Sequence, residues 1–509
     1  MTADVAIVGF GPVGAVLAGL LGLRGVRVVV VERDANVFPQ PRAAHIDHTG
    51  LRTIQELGGL DALLPKMVRN QSLDLVNAQH QVLVRVPAGQ DSVSGLPASM
   101  YFYQPDFDAT LRKTVSAMDN VEVRLGRAMT SFEATPDGVT LHTVDGNGKT
   151  ETIRASWLVG CDGAWSPVRE ALGIQLESLN FDEPWLVLDL ALKAPQPELP
   201  TDHVVQVCDP ARPHLTTPIS SDRQRFEFML LRGENLEELR KRESVERLLA
   251  PWLPPDSFEI ERSAGYTFHG LVARQWRKGR VLIAGDAAHQ MPPFLGQGMC
   301  SGIRDASNLA WKLALVVRRG SPESLLDTYE EERSPHVRQI VEAAIDFGRI
   351  VCELDPKKAE ERDKRFLEGD QLNDRRFALP RLTGGRLVLE GGGFLFVQPT
   401  IGERRLDDIV GPRFLVIGRD AEALGSSVGW WRSELGAAIF TLDDLKDDGI
   451  VRWLDRYAAD VVVVRPDRYV LGTGTELNSL TDAVRRVLAP TGLERPHTQP
   501  APLAATGTN

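Results

Sequence analysis

DVAIVGFGPVGAVLAGLLGLRGVRVVVVE, residues 4–32, decides the fold. Asp4–Phe10 is a short, apolar, β-branched run, the pattern of a strand buried on both faces. From Pro12 the apolar residues recur with helical spacing, Gly25 supplies a stop, and Arg27–Glu32 reads as a second buried strand. The three pieces make a βαβ unit. Gly9, Gly11 and Gly14, spaced GxGxxG, fall at the end of the first strand and the mouth of the helix. Gly9 permits the tight turn, Gly11 lets a pyrophosphate approach the backbone, and Gly14 allows the helix to pack closely on the strand. Glu32 ends the second strand, where a carboxylate accepts from ribose hydroxyls and repels a 2′-phosphate. The unit therefore suits FAD or NAD better than NADP.

Outward from this unit, Tyr103–Val115 reads as an amphipathic helix, and short alternating strands run from Val121 to Ile153. Trp157–Gly173 returns to strand, turn and helix. Trp185–Phe268 is mostly period-two, with RFEFMLL at Arg225–Leu231 and a helical interruption near Glu234–Leu249. Gly279–His289 restores the buried strand, and two long helices follow, the second expected to kink or restart at Pro335. Composition shifts at Gly384, where a compact α/β unit begins. The reading is thus an α/β protein: a discontinuous dinucleotide-binding domain (1–175 and 268–380), a β-rich substrate insert (176–267), a C-terminal unit (384–490), and a disordered tail (491–509).

The chain's 509 residues allow two or three domains, and its net charge of −11 comes without any run of Lys or Arg. Nucleic acid and anionic membrane surfaces are excluded as expected partners. Cys161, Cys208, Cys300 and Cys352 are far apart, without CxxC or Cys/His metal spacing, so neither a metal site nor a disulfide framework is expected. A reducing cytoplasm suits this cysteine usage. No charged region precedes the first apolar run, so no secretory leader is expected. Arg24 and Arg27 interrupt Val13–Val31, which argues against a membrane span.

A second motif narrows the cofactor. Gly285-Asp286-Ala287-Ala288-His289 follows a buried strand, and Pro292-Pro293-x-x-Gly296-Gln297-Gly298-Met299 leads into a helix carrying Asp305 and Asn308. A strand-end aspartate holds a flavin's ribityl chain, and the helix N-terminus stabilises charge developing on the ring during reduction. Gly296 and Gly298 let backbone N–H groups approach a flat ring.

These motifs, with Cys161-Asp162-Gly163, Ser166, Val168 and Arg169 between them, resemble those of the class A flavoprotein aromatic hydroxylases. Within that family the text is most similar to 3-(3-hydroxyphenyl)propionate hydroxylases and related phenol and polyketide hydroxylases, through Val207–Pro213, RFEFMLLRGE and FHGLVARQWRKGRV. The resemblance implies an FAD monooxygenase in which NADH or NADPH reduces the flavin and leaves. O2 then adds at C4a, and the hydroperoxide's distal oxygen attacks a small phenol such as 3-hydroxyphenylpropionate. It implies further FAD contacts at Arg33, Arg42, Gln104, Asp162 and Met299, with Pro293 beside the reactive edge. The C-terminal unit resembles a thioredoxin-like domain. It has no cysteine, so packing or homodimer formation replaces any thiol role.

For phenol activation the resemblance points to Asp47 and Tyr266, although Ala264 stands where an accompanying arginine is usual. His45 is a rival base, because imidazole titrates near working pH. Against these stand simpler readings: Asp47 as a helix cap and Tyr266 as a core aromatic. Arg225 can greet a substrate carboxylate or sit as an exposed strand arginine, and His289 can contact substrate or organise its loop. Cys300 replaces the usual asparagine after GQGM. Two rival functions share the fingerprints: a flavin monooxygenase of polycyclic or non-phenolic substrates, and a flavin-bearing sensor without turnover.

Overall fold

The computed structural model describes residues 2–369 and 379–488, so the expected tail at 491–509 lies outside the described residues. Thr2–Val8 and Val28–Glu32 pair in parallel, joined by the helix Pro12–Leu23. Their sheet runs in the order Arg277–Lys278, Val281–Ile283, Thr150–Gly160, Thr2–Val8, Val28–Glu32, Val121–Leu125. From Thr2–Val8 the chain builds first to one side and later to the other. The strand order therefore reverses between Thr2–Val8 and Thr150–Gly160, and a crevice opens at their carboxyl ends. Gly9 and Cys161 emerge together there, Cys161 N donating to the Val8 carbonyl at 2.8 Å.

A second sheet has the order His289–Gln290, Phe258–Ala273, Leu176–Leu192, Arg223–Met229, His214–Ser220, Val204–Val207, Ser72–Val76, Val82–Pro87. It reaches beyond the expected 176–267 insert, because Ser72–Val76 joins Val204–Val207 in parallel. Alternation gives this sheet two faces. Leu186, Leu188, Leu190, Phe226 and Phe228 form an apolar cluster with Val245 and Leu249 of the helix Arg242–Leu249. The opposite face turns to the first domain: Arg225 donates to the carbonyls of Pro41 and Arg42, and Gln206 Nε2 to that of Phe294.

Asp327–Val351 is one uninterrupted helix that contains Pro335, so the expected restart does not occur. The C-terminal sheet has the order Ala438–Thr441, Leu415–Gly418, Val461–Val464, Val470–Gly474. Buried ion pairs fix it to the rest: Arg52–Asp407 at 2.6 Å, and Arg465–Glu332 at 2.8 Å beside Lys312–Glu332 at 2.9 Å. Among the described residues no helix is long and apolar enough to cross a membrane.

Candidate functional site

The GxGxxG loop is built by close backbone approach. Gly9 has φ +101°, and a Cβ there would lie 2.3 Å from the Cys161 carbonyl oxygen. A Cβ on Gly14 would lie 2.1 Å from the Gly9 oxygen, whereas one on Gly11 would meet no protein atom within 4 Å. Gly11 thus borders open space at the start of a helix without a side-chain cap, where orphan N–H groups face an anion. Glu32 closes the loop: Oε2 accepts from Phe10 N at 2.7 Å and Oε1 from Asp34 N at 2.9 Å. Arg112, which sequence reasoning missed, donates to the Phe10 carbonyl at 3.0 Å. Arg33 lies at the surface, loosely paired with Asp34 at 3.9 Å. Gln104 Oε1 accepts from both Arg42 N and Ala43 N at 2.7 Å, and so positions the segment that carries Arg42.

The second motif lies across the crevice. Asp286 makes no hydrogen bond with protein, and crowding by its surroundings raises its carboxyl above the ordinary range. Pro293–Leu295 is a single 3-10 turn that delivers Gly296 in the left-handed region, at φ +62°. His45 packs on this turn: Nδ1 bonds the Gly296 carbonyl at 2.9 Å and Nε2 the Ser99 hydroxyl at 2.7 Å. A carbonyl only accepts, so Nδ1 carries the proton and Ser99 donates to Nε2. Burial lowers the His45 pKa and keeps the ring neutral. Gly298 and Met299 open the helix Gly298–Arg319. The open loop at Gly11, the unpartnered Asp286 and the uncapped first helix fit a flavin dinucleotide lying along the crevice.

Asp47 is not a free carboxylate. It caps the helix His48–Glu56, Oδ1 accepting from Thr49 N and Gly50 N at 3.0 Å, while Oδ2 takes Arg304 Nη1 at 2.7 Å. Arg304 and these donors outweigh burial and hold the carboxyl well below the usual range. Every oxygen is engaged, which favours the cap. Asp47→Asn should still cap, and Arg304 keeps Gln297, Ser301 and Thr49 as acceptors. The expected cost is about 1–3 kcal/mol of stability, with turnover per bound flavin retained. The deficit should vanish in acid, as pH falls through the folded-state pKa of Asp47 and the wild type loses the same charge. Urea unfolding and flavin-normalised turnover check this; a collapse of turnover at unchanged stability would restore Asp47 as the base.

On the inward face of the second sheet, Arg225 is buried rather than exposed, and it is not free. Its Nε donates to Asp189 Oδ1 at 2.7 Å, and the rest of the guanidinium serves Asp189 and the Pro41 and Arg42 carbonyls. Arg262 joins the same carboxylate at 3.2 Å and also reaches the Pro41 carbonyl. Its Nη2 donates to Tyr266 Oη at 2.5 Å, and the guanidinium lies 5.0 Å from that ring's centroid. The arginine expected at Ala264 thus comes from two residues upstream, on the same face. Tyr266 is 41% exposed, so it is not a core aromatic.

Two further expectations change. His289 is buried, bonds Asp305 Oδ2 at 2.7 Å and packs on Trp276, contacts that organise its loop. Asp162 spends its carboxylate within its own turn, accepting from Ser166 Oγ at 2.5 Å and Val168 N at 2.9 Å. Cys300 Sγ takes Asp47 N at 3.4 Å, and burial pushes its thiol up, which leaves it unreactive.

Residues 2–344 match the FAD binding domain family. A probable NADH-specific resorcinol 4-hydroxylase of Rhodococcus jostii (strain RHA1) is 37% identical, over 98% of this chain and 97% of its own. A 3-(3-hydroxy-phenyl)propionate/3-hydroxycinnamic acid hydroxylase of Escherichia coli (strain K12) is 34% identical over 94% of each chain. Among solved structures, an aklavinone-11 hydroxylase crystallised with FAD and aklavinone superposes with a TM-score of 0.81 at 23% identity, covering 96% of this chain and 99% of that one. The chain belongs to the FAD binding domain family and is an FAD-dependent aromatic monooxygenase that uses NAD(P)H and O2.

Proposed function

We propose that this enzyme hydroxylates a small, neutral phenol of the resorcinol type, with NADH as reductant. One observation carries the reading. Arg225 and Arg262, the two guanidiniums of the inward patch, are both committed to Asp189 and to main-chain carbonyls, so neither is free for a substrate carboxylate. The relative 37% identical to this chain is named for resorcinol and NADH. A 3-hydroxyphenylpropionate-like substrate is the second reading, favoured by the RFEFMLLRGE text and the relatives at 34% identity.

Bound FAD, once reduced, supplies activated oxygen to the ring; a phenol, NADH, a proton and O2 become a catechol, NAD+ and water. The chain's part is to place the ring, exclude water and favour phenolate over phenol. Tyr266 accepts from Arg262, so its own proton is left to donate to a phenolate oxygen, and the nearby cation favours that anion. Pro293 and the Gly296 loop, braced by His45, would hold the flavin ring. The cysteine-free C-terminal unit reads as thioredoxin-like, held by buried ion pairs and serving packing.

The test is NADH and NADPH consumption by the purified yellow protein, with product analysis. Resorcinol should accelerate NADH oxidation and yield a trihydroxybenzene in step with it. Acceleration by 3-hydroxyphenylpropionate alone, with a catechol product, would install the second reading. Indifference to every small phenol would remove both.

A further inference from the structure

Four buried polar atoms lack a hydrogen-bond partner on the inward face of the second sheet: Glu227 Oε2, Gln206 Oε1, Trp185 Nε1 and Arg262 Nε. Native interiors leave few such atoms, and each needs a cause. The register explains their gathering. Gln206, Leu215, Glu227, Val187 and Ala264 stand opposite one another in one row across five strands. Trp185 lies in the adjacent row with Met229 and Tyr266. On one side of the Glu227 row is the Arg225 row, tied to Pro41 and Arg42. On the other, Trp185 touches Phe294 edge-on at 5.7 Å, and Gln206 itself holds the Phe294 carbonyl. The row therefore lies between the two places where the sheet meets the flavin-binding domain.

Glu227 has the least protein explanation of the four. Leu215 and Val187 flank it, and its nearest cation, Arg225, stays 4.0 Å away with its donors already engaged. Resting on the phenol-hydroxylase reading above, we propose that Glu227 is the acceptor that binds a ring hydroxyl of the substrate, with Gln206 Oε1 accepting from a second hydroxyl. The site's substrate class is then an arene with two or more free hydroxyls. Burial raises the Glu227 carboxyl to about 7, with Asp189 adding and Arg225 and Arg262 opposing. Acceptor strength is thus lost as pH falls through neutrality.

The experiment titrates the holoenzyme with resorcinol, read from the flavin spectrum, in wild type and Glu227→Gln. The variant should keep its flavin and bind resorcinol about tenfold to a hundredfold more weakly, the range for a hydrogen bond to a charged group. The acidic limb of wild-type kcat/KM near pH 7 should flatten in the variant. A ligand-side arm does not depend on how the variant folds: 3-methoxyphenol, with one hydroxyl masked, should bind wild type more weakly than resorcinol by a comparable factor. Wild type that turns over resorcinol yet binds both ligands equally, or a variant that matches wild type, overturns the Glu227 assignment alone. Wild type that turns over no phenol overturns the assignment together with the reading beneath it.

Discussion

Gly14→Ala will purify without bound flavin, and added FAD will restore little NADH oxidation. A Cβ at this position would sit 2.1 Å from the Gly9 carbonyl oxygen and 3.3 Å from Cys161 Cβ. The first neighbour is backbone and cannot rotate away as a side chain would. Gly9 cannot retreat either, because its own Cβ position already lies 2.3 Å from the Cys161 carbonyl. Relief therefore needs a shift of about 1 Å between the helix and the two strand ends, the scale of misplacement that costs about a hundredfold at a positioned site. The same shift pulls on the Glu32–Phe10 bond that closes the loop.

The measurement is the flavin-to-protein ratio of the purified variant, followed by FAD titration. Gly11→Ala is the control, because its Cβ meets no protein atom within 4 Å. Its apoprotein should unfold like wild-type apoprotein, while FAD affinity falls because the methyl occupies cofactor space. A Gly14→Ala protein that is yellow and binds FAD normally would mean that this loop is not the cradle.

The shape of that loop was legible because most of its physics is local. Gly14 against Gly9 and Glu32 against Phe10 act within one βαβ unit, and each leaves its mark in the residue type at a fixed offset. Partners supplied from afar leave no such mark. Asp47 read either as a base or as a helix cap, and nothing in the sequence announced Arg304 at 2.7 Å. The arginine for Tyr266 was sought at Ala264 and came from Arg262, because alternation constrains the face of a strand and not which residue on it reaches. Ser72–Val76 joined the second sheet by pairing with a strand more than a hundred residues later, a choice that local propensity cannot express. One signal was present and went unused. In Arg223–Met229 the alternation puts Phe226 and Phe228 on one face and Arg225 and Glu227 on the other. A second domain covers that polar face as well, so its charges are buried and must be paired or bind a ligand.

Asp189→Ala should be the most destabilising single change on that face. Asp189 is fully buried and takes Arg225 at 2.7 and 3.1 Å and Arg262 at 3.2 Å. Without it two buried guanidiniums remain, with Glu227 at 4.0 Å from Arg225 as the nearest carboxylate. Breaking a buried pair by deleting one partner costs about 3–5 kcal/mol, because the remaining charge stays desolvated. The urea midpoint should fall accordingly, and flavin binding with it if Arg42 contacts the cofactor, since the same arginines hold the Pro41 and Arg42 carbonyls. Replacing both partners, Asp189→Leu with Arg225→Met, should recover much of the stability, as apolar substitutes for a buried pair often do. The Arg225→Met single variant separates a carboxylate receptor from a structural arginine. A carboxylate receptor would lose affinity for acidic phenols alone at unchanged stability. A structural arginine would lose stability and flavin together and treat acidic and neutral phenols alike, the result expected from its bonds. An Asp189→Ala protein that unfolds at the wild-type urea concentration would show that these guanidiniums are solvated in the folded enzyme, and the argument for a neutral substrate would fall with it.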